Sequence, residues 1–457
     1  MKNDFISLFK AFELKEQEGF NNYLQCFYSS QKSVLVIFDE IKTAIPYEIA
    51  VQSIRTAAVG NKNRLNALAD LKKWFLEFLA LQEIRHNTTE SKFLSLEALR
   101  KRGLHDVFQQ KSKQLVYELD SDQSPNLWHL FWKVRLSHIN YFQIPLDRIQ
   151  DYQSEMLQLL EGLDNFYISA KLQYSAELYS RSMIRQEKYD AFLLSPILES
   201  LEMGRTTSPI IKELYLPTLE LTQNQSEKAY NQLKQFLIEK PLHEPLERQA
   251  ILIYLLNFTT SKLRKGENTM IQESFDLYQL GINQSLFTLT GCFLHSTFLN
   301  IVNTACHLKK YDWLKDFIKT WSNSLAPSEK EDTIHFSMAR IYFEKKKFDE
   351  VISLLQKVNF RNINFTLNVR LLLIRAYYDG KAPIYVMTDY NNALYLYVYR
   401  SKNIGNALRE SILIFVKMFR SLLSEKSKTQ LLNELEKKRK TAICYDWLKM
   451  KIEERQK

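Results

Sequence analysis

A recurring spacing of apolar residues between about positions 295 and 380 constrains this chain more than any other feature. In each copy the spacing is 3, 1 and 3 residues, then 3, 4 and 3 residues after a short gap. This spacing places the apolar side chains on one face of each of two consecutive helices. Such a helix pair buries that face only by stacking on neighbours, which predicts a curved stack of antiparallel helix pairs. The two clear copies are Phe298, Ile301, Val302, Ala305, Tyr311, Leu314, Ile318 and Trp321, then His335, Met338, Ala339, Tyr342, Phe348, Val351, Leu355 and Val358.

A third copy of the spacing is incomplete. Its first helix is carried by Arg370, Leu373, Ile374 and Tyr377, and the spacing is lost at Pro383. The three stretches resemble the tetratricopeptide repeat, with a large residue at the fourth place, a small one at the eighth and aromatic residues at the eleventh and seventeenth. The resemblance implies an all-α fold, an α-α superhelix that binds other proteins on its concave face.

The composition favours the same class of fold. With only 10 Gly and 10 Pro in 457 residues, few turns interrupt the chain, which argues against a β-sandwich, a β-barrel or a glycine-rich nucleotide-binding fold. Aromatic residues make up 13%, and we interpret them first as core that fills the wedges between helices. The length suits two or three domains or an extended helical stack.

Charge and cysteine content exclude some classes of partner and cofactor. A net charge of +10 over the whole chain is weaker than the concentrated patch of a dedicated nucleic-acid binder, so nucleic acid is disfavoured. The 4 Cys form no CxxC pair, and we expect reduced thiols in a cytoplasmic protein rather than disulfides or zinc. The N-terminus lacks the apolar core of a signal peptide, and no apolar run reaches the ~20 residues of a membrane span.

The first third of the chain carries helical stripes of apolar residues: Phe5-x-x-Leu8-Phe9-x-x-Phe12 with Glu16, Glu18 and Phe20, then Leu65-x-x-Leu68-x-x-Leu71-x-x-x-Phe75-x-x-Phe78-Leu79, and the segment from Ala98 to Leu104. In these residues it resembles a group of uncharacterised bacterial helical proteins related to tetratricopeptide-repeat proteins. The small-then-aromatic pattern of the repeat itself is not legible there. The resemblance implies a helical architecture and no known activity.

Breaks in composition predict three regions. Residues 1–120 form an N-terminal helical domain, 126–425 form the helical-repeat solenoid with its clearest repeats at 295–380, and 426–457 form a basic capping helix, with a linker-like break at Asp120 to Pro125. The densest basic run, in that last region, is Lys437, Lys438, Arg439 and Lys440. A solvated cap is the favoured interpretation of this run, and contact with an acidic partner or nucleic acid is the alternative.

Motifs of catalysis and metal binding are missing from the sequence. None of the 8 His lies in an HExxH or close-paired ligand pattern, and no GxxxxGK[ST], GxGxxG or GxSxG motif occurs. We therefore expect a protein that is not an enzyme and needs no metal or cofactor.

The first helix of each repeat contributes the candidate binding residues. In tetratricopeptide proteins the ninth place of that helix commonly points into the concave face, which the resemblance assigns to Asn303, Arg340 and Arg375, with Asn300 and Phe336 beside them. Such donors could hold a carboxylate or an acidic extended peptide. We expect a scaffold or adaptor that binds a protein or peptide on this face. The alternatives are a nucleic-acid-associated regulator that uses the basic run, and a structural subunit of a larger assembly.

Overall fold

The structure is a computed structural model, and it describes residues 5–44, 61–121, 126–142, 153–185, 189–204, 208–239, 244–359, 362–401, 404–424, 426–439 and 441–455. Within these ranges the chain forms 22 α-helices. No β-sheet is present in them, and the only strand-like pairing is one isolated bridge between Phe293 and Leu325. The predicted all-α class is therefore confirmed. None of the helices in these ranges has the length and apolar character needed to cross a membrane.

The chain divides into two compact units, Met1–Phe166 and Tyr167–Lys457. The division falls inside one long helix, whereas the sequence suggested a boundary between residues 120 and 126, of which 122–125 lie outside the described residues. The first unit contains α1 (Phe5–Lys10), α2 (Leu14–Phe27), α3 (Lys32–Ala44), α4 (Lys62–His86), α5 (Thr88–Lys101), α6 (His105–Ser121), α7 (Leu127–Tyr141) and the first part of α8 (Gln153–Arg185).

Phenylalanine rings fill the core formed by α1 to α4. The rings of Phe20 and Phe75 meet at 4.9 Å between centroids in an edge-to-face arrangement, which is the geometry that aromatic pairs prefer. The opening stripe predicted from the sequence lies in this cluster, where Phe5 and Phe9 are fully buried. A second, smaller cluster joins α5, α6 and α7 around Phe93, Leu96, Phe108, Leu115, Leu119, Leu136 and Ile139.

The second unit contains the rest of α8 and the remaining helices. These are α9 (Leu194–Glu202), α10 (Leu216–Asn224), α11 (Glu227–Glu239), α12 (Pro245–Arg264), α13 (Met270–Asn283), α14 (His295–His307), α15 (Tyr311–Trp321), α16 (Lys330–Glu344), α17 (Phe348–Leu355), α18 (Ile363–Asp379), α19 (Ile384–Arg400), α20 (Asn406–Leu422), α21 (Lys428–Glu436) and α22 (Tyr445–Glu454).

Helix ends follow local rules that the sequence makes visible. Gly103 ends α5 in the left-handed region at φ 69°, and the Leu104 amide bonds back to the Leu99 carbonyl at 3.1 Å, which is a glycine C-cap as predicted. Ser226 caps α11, because its hydroxyl accepts from the Ala229 amide at 3.2 Å. A π-helical turn at Ile211–Tyr215 leads into α10, whose second residue is the proline Pro217.

Both clear repeat copies form helix pairs, as predicted. The first copy is α14 with α15, and the second is α16 with α17. Each helix packs on the next one in the chain, and α14 also packs on α16, which packs on α18. In a stack of helix pairs, the first helices of successive pairs lie side by side, so contacts between alternate helices are expected.

The C-terminal region differs from the single helix that the sequence suggested. A turn separates α21 from α22, which begins after Cys444 in the left-handed region. The Asp379 carboxylate at the end of α18 contacts two side chains of the last helix. Trp447 Nε1 donates to Asp379 Oδ2 at 2.9 Å, and Lys451 Nζ lies 2.9 Å from Asp379 Oδ1.

Candidate functional site

Two asparagines of the site, Asn300 and Asn303, lie on the face of α14 opposite its apolar residues. Phe298, Val302 and Ala305 turn the opposite face into the core, and helical spacing puts Asn300 and Asn303 on the other side. Asn300 is exposed and Asn303 is half-buried. The predicted pair therefore lies on an accessible surface of the second unit.

Arg340 on α16 joins this surface and is largely buried, with 8% of its area exposed. Its Nε donates to Asn303 Oδ1 at 3.2 Å, and its Nη2 lies 3.5 Å from Glu344 Oε1. The outer Nη1 has no partner within the described residues. A guanidinium has five donors, so Arg340 keeps donors for a further acceptor.

Arg375 on α18 supplies a second positive charge near the first. Its guanidinium lies over the Phe343 ring at 5.2 Å, and its Nε donates to the Leu371 carbonyl at 3.0 Å. Burial lowers the pKa of Arg340, and the positive charge of Arg375 lowers it further. Glu344 is the only carboxylate paired with Arg340 in the described part of the chain, so an additional anion here would be stabilised.

Phe336 occupies a different environment from the other predicted site residues. It is 3% exposed and packs in a core cluster with Leu299, Ala339 and Val369. The Phe336 ring is therefore part of the core against which α16 packs, and it does not reach the accessible surface.

A polar cavity of about 490 Å³ continues the surface from α14 toward α8, α10, α12 and α13. Asn300 and Asn303 form part of its wall, together with hydroxyl and amide side chains that include Thr222, Asn257, Thr260, Ser261 and Thr304. Among the described residues that line it, Arg264 is the only charged one, and it makes no hydrogen bond or ion pair with them or with the rest of the described chain.

The tyrosines of this cavity stay neutral at physiological pH. Burial raises the pKa of Tyr278 to about 12, opposed by a hydrogen bond with Asn300. Burial also raises the pKa of Tyr254, whose hydroxyl donates to Glu177 Oε2 at 2.7 Å. Sequence reasoning missed this cavity, because its wall combines five helices spread over more than a hundred residues.

The thiol beside the arginines is not set up as a nucleophile. Cys306 is buried, and burial raises its pKa to about 11, so the thiol stays protonated. Among the described residues, no group of three or more His, Cys, Asp or Glu is arranged to hold a metal ion.

The predicted basic run lies elsewhere, in the turn after α21. Lys437 and Lys438 are exposed, Arg439 bonds to Glu436 at 3.4 Å, and Lys440 lies outside the described residues. The run is therefore part of a turn, and its described residues do not form a charged helix face.

The structure thus brings Asn300, Asn303 and Arg340 together and adds Arg375 on the next alternate helix. The arrangement can donate hydrogen bonds from neutral amides along the cavity and from guanidinium groups beside it. Comparison of the chain with protein-family models, curated proteins and solved structures gave no match.

Proposed function

We propose that this chain is a non-catalytic interaction protein that binds an extended segment of a partner protein. The segment would lie along the cavity and pass the cluster of Asn303, Arg340 and Arg375. The observation that carries the proposal is the position of Asn303, which lines the cavity and also accepts a hydrogen bond from Arg340. The neutral and the cationic parts of the surface are therefore continuous.

The chemistry of the two parts suits a peptide. Amide and hydroxyl groups can pair with main-chain N–H and C=O groups, which every extended segment offers. Arginines with free donors suit an acidic side chain, because a guanidinium binds a carboxylate through two parallel bonds. The partner segment would therefore be extended and acidic at one end.

The architecture we propose is a tetratricopeptide-like superhelix. Two observations support it: the repeated spacing in the sequence, and the packing of α14 on α16 and of α16 on α18. A stack of this kind presents its first helices side by side, so a bound segment would contact one or two residues from each.

Site-specific photo-crosslinking in native cells tests this proposal. A photoreactive phenylalanine derivative in place of Thr304, in the cavity wall, should capture a defined partner protein. The same derivative in place of the exposed Lys319 on α15 is the matched control and should not capture it.

Charge reversal then tests the cationic cluster. Arg375→Glu should reduce crosslinking from position 304 by at least about tenfold, while Lys319→Glu leaves it unchanged. Equal capture from positions 304 and 319, or no effect of Arg375→Glu, would show that the surface is not the binding site. Thermal unfolding of each variant verifies that the fold is retained.

A further inference from the structure

A second concave surface lies in the first unit, on the helix hairpin of α5 and α6. The two helices are joined by the short turn Arg102–Leu104 and enclose a groove of about 600 Å³ along one side. No residue of the proposed peptide surface belongs to this groove. An inference about it therefore stands apart from the proposed function.

Within the described part of the first unit, the hairpin packs on α7 along one side. Phe93 and Phe108 pack with α7 residues in the cluster around Leu136 and Ile139. The groove runs beside this cluster, because Leu96 and Leu115 belong to both and Leu99 packs against the cluster from the groove; Val107 adds an apolar side chain that is 45% exposed. An exposed apolar floor between two helices is a common place for a third helix to dock.

Charges along the groove indicate the kind of helix that would fit. At one end, Lys92 Nζ and Glu118 Oε2 form an ion pair at 2.5 Å and neutralise each other. Arg102 donates to the Ala98 carbonyl at 3.0 Å, and Lys111 donates to Gln114 Oε1 at 3.3 Å. Neither of these two cations is paired with a carboxylate of the described chain, so the groove keeps an unneutralised positive charge.

We propose that this groove binds an acidic amphipathic helix of a partner protein. The apolar residues of that helix, at spacings of 3 and 4, would rest on Leu99 and Val107. Its acidic flank would lie beside Lys111 and Arg102, where Coulomb attraction favours a carboxylate over an ammonium group.

The probe for this proposal is a synthetic peptide of 18 residues, with Leu on one helical stripe, Glu on its flanks and Ala elsewhere. A matched peptide carries Lys in place of every Glu. Fluorescence anisotropy measures both against the full chain. The acidic peptide should bind at least tenfold more tightly than the basic one, and its affinity should fall as salt rises.

Variants locate the binding site. Lys111→Glu and Arg102→Glu should each weaken binding of the acidic peptide about tenfold, and Val107→Asp should weaken it at least as much. Lys113→Glu is the matched control, because Lys113 is exposed on α6 outside the groove, and it should change the affinity less than twofold. Far-UV circular dichroism checks the fold of each variant.

Three results would overturn the proposal. The first is equal binding of the acidic and basic peptides. The second is a loss of affinity in Lys113→Glu as large as that in Lys111→Glu. The third is self-association, in which sedimentation shows a dimer of the full chain that Val107→Asp converts to a monomer while the acidic peptide does not bind.

Discussion

The α1–α4 core of the first unit is apolar, whereas the core of the second unit includes charged groups. Around Phe20 the first unit buries phenylalanine against phenylalanine, and this cluster includes no charged side chain among the described residues. The second unit buries Glu247 and Arg340 and largely buries the Asp379–Lys451 ion pair, whose side chains are 9% and 14% exposed. An apolar core depends on shape alone, whereas a core with charges also depends on protonation and on each partner being present.

The largest effect is expected from Phe20→Ala in the apolar core. The side chain is fully buried between Phe5, Phe9 and Phe75, so its loss leaves a cavity that costs about 3 to 5 kcal/mol of unfolding free energy. Urea unfolding at pH 5 and at pH 8 should give the same loss. Phe27→Ala on the same helix is the control, because Phe27 is 69% exposed, and it should cost less than about 1 kcal/mol. A strong pH dependence of the Phe20→Ala loss would contradict the comparison.

Asp379→Ala should have the next largest effect, in the second unit. It removes the acceptor of Trp447 and one of two carboxylates beside Lys451, which costs about 3 kcal/mol. Hydrogen exchange measured by mass spectrometry should show faster exchange in α22 and leave α1 to α4 unchanged. Asp389→Ala is the matched control, since Asp389 is exposed on α19. If α22 exchanges at its original rate in Asp379→Ala, this carboxylate does not hold the helix.

Glu247→Gln should have the smallest effect and the opposite sign. Glu247 is 7% exposed, accepts from the Tyr215 hydroxyl at 2.9 Å, and leaves Oε2 without a partner. Burial raises the pKa of this carboxyl to about 7, so the folded state holds the proton more tightly than the unfolded chain does. Stability is therefore lost as pH rises from about 4.5 to about 7.

Glutamine keeps an acceptor for Tyr215 and cannot ionise. A pKa raised from 4.5 to about 7 corresponds to about 3 kcal/mol at pH 8, and an amide NH2 without an acceptor at the place of Oε2 offsets about 1 kcal/mol of this. The variant should therefore be more stable than the wild type by about 2 kcal/mol at pH 8, and by less than about 1 kcal/mol at pH 5. Thermal unfolding across this pH range measures the difference. Glu410→Gln is the control on an exposed site and should show no such trend. A gain that is equal at pH 5 and pH 8 would mean that Glu247 does not titrate between them.

The sequence predicted much of the fold, because helix periodicity and caps are local properties. The opening stripe predicted core residues, and Phe5, Phe9 and Phe20 are buried. Phe27 continues the helical spacing of Phe20 to the end of α2 but is exposed, since burial at a helix end depends on which elements pack there. The two repeat copies are helix pairs for the same local reason.

The candidate site was predictable only in part. Asn303 and Arg340 occupy equivalent places in successive copies and meet because α14 packs on α16. The burial of Phe336 was not visible in the spacing, because α16 contacts both α14 and α18 and so buries a second face. The polar cavity and the α5–α6 groove depend on which helices face each other at long sequence separation.

The attachment of α22 to Asp379 gives the chain a built-in optical signal. Trp447 packs against Phe415, Phe419 and Tyr378 while its indole N–H is hydrogen-bonded, so its emission should be blue-shifted when the helix is docked. Water reaches the indole only if α22 leaves α18 and α20. Asp379→Ala would therefore favour release of α22, and in a chain whose other five tryptophans are replaced by phenylalanine a red shift of Trp447 emission would report that separation without an added label.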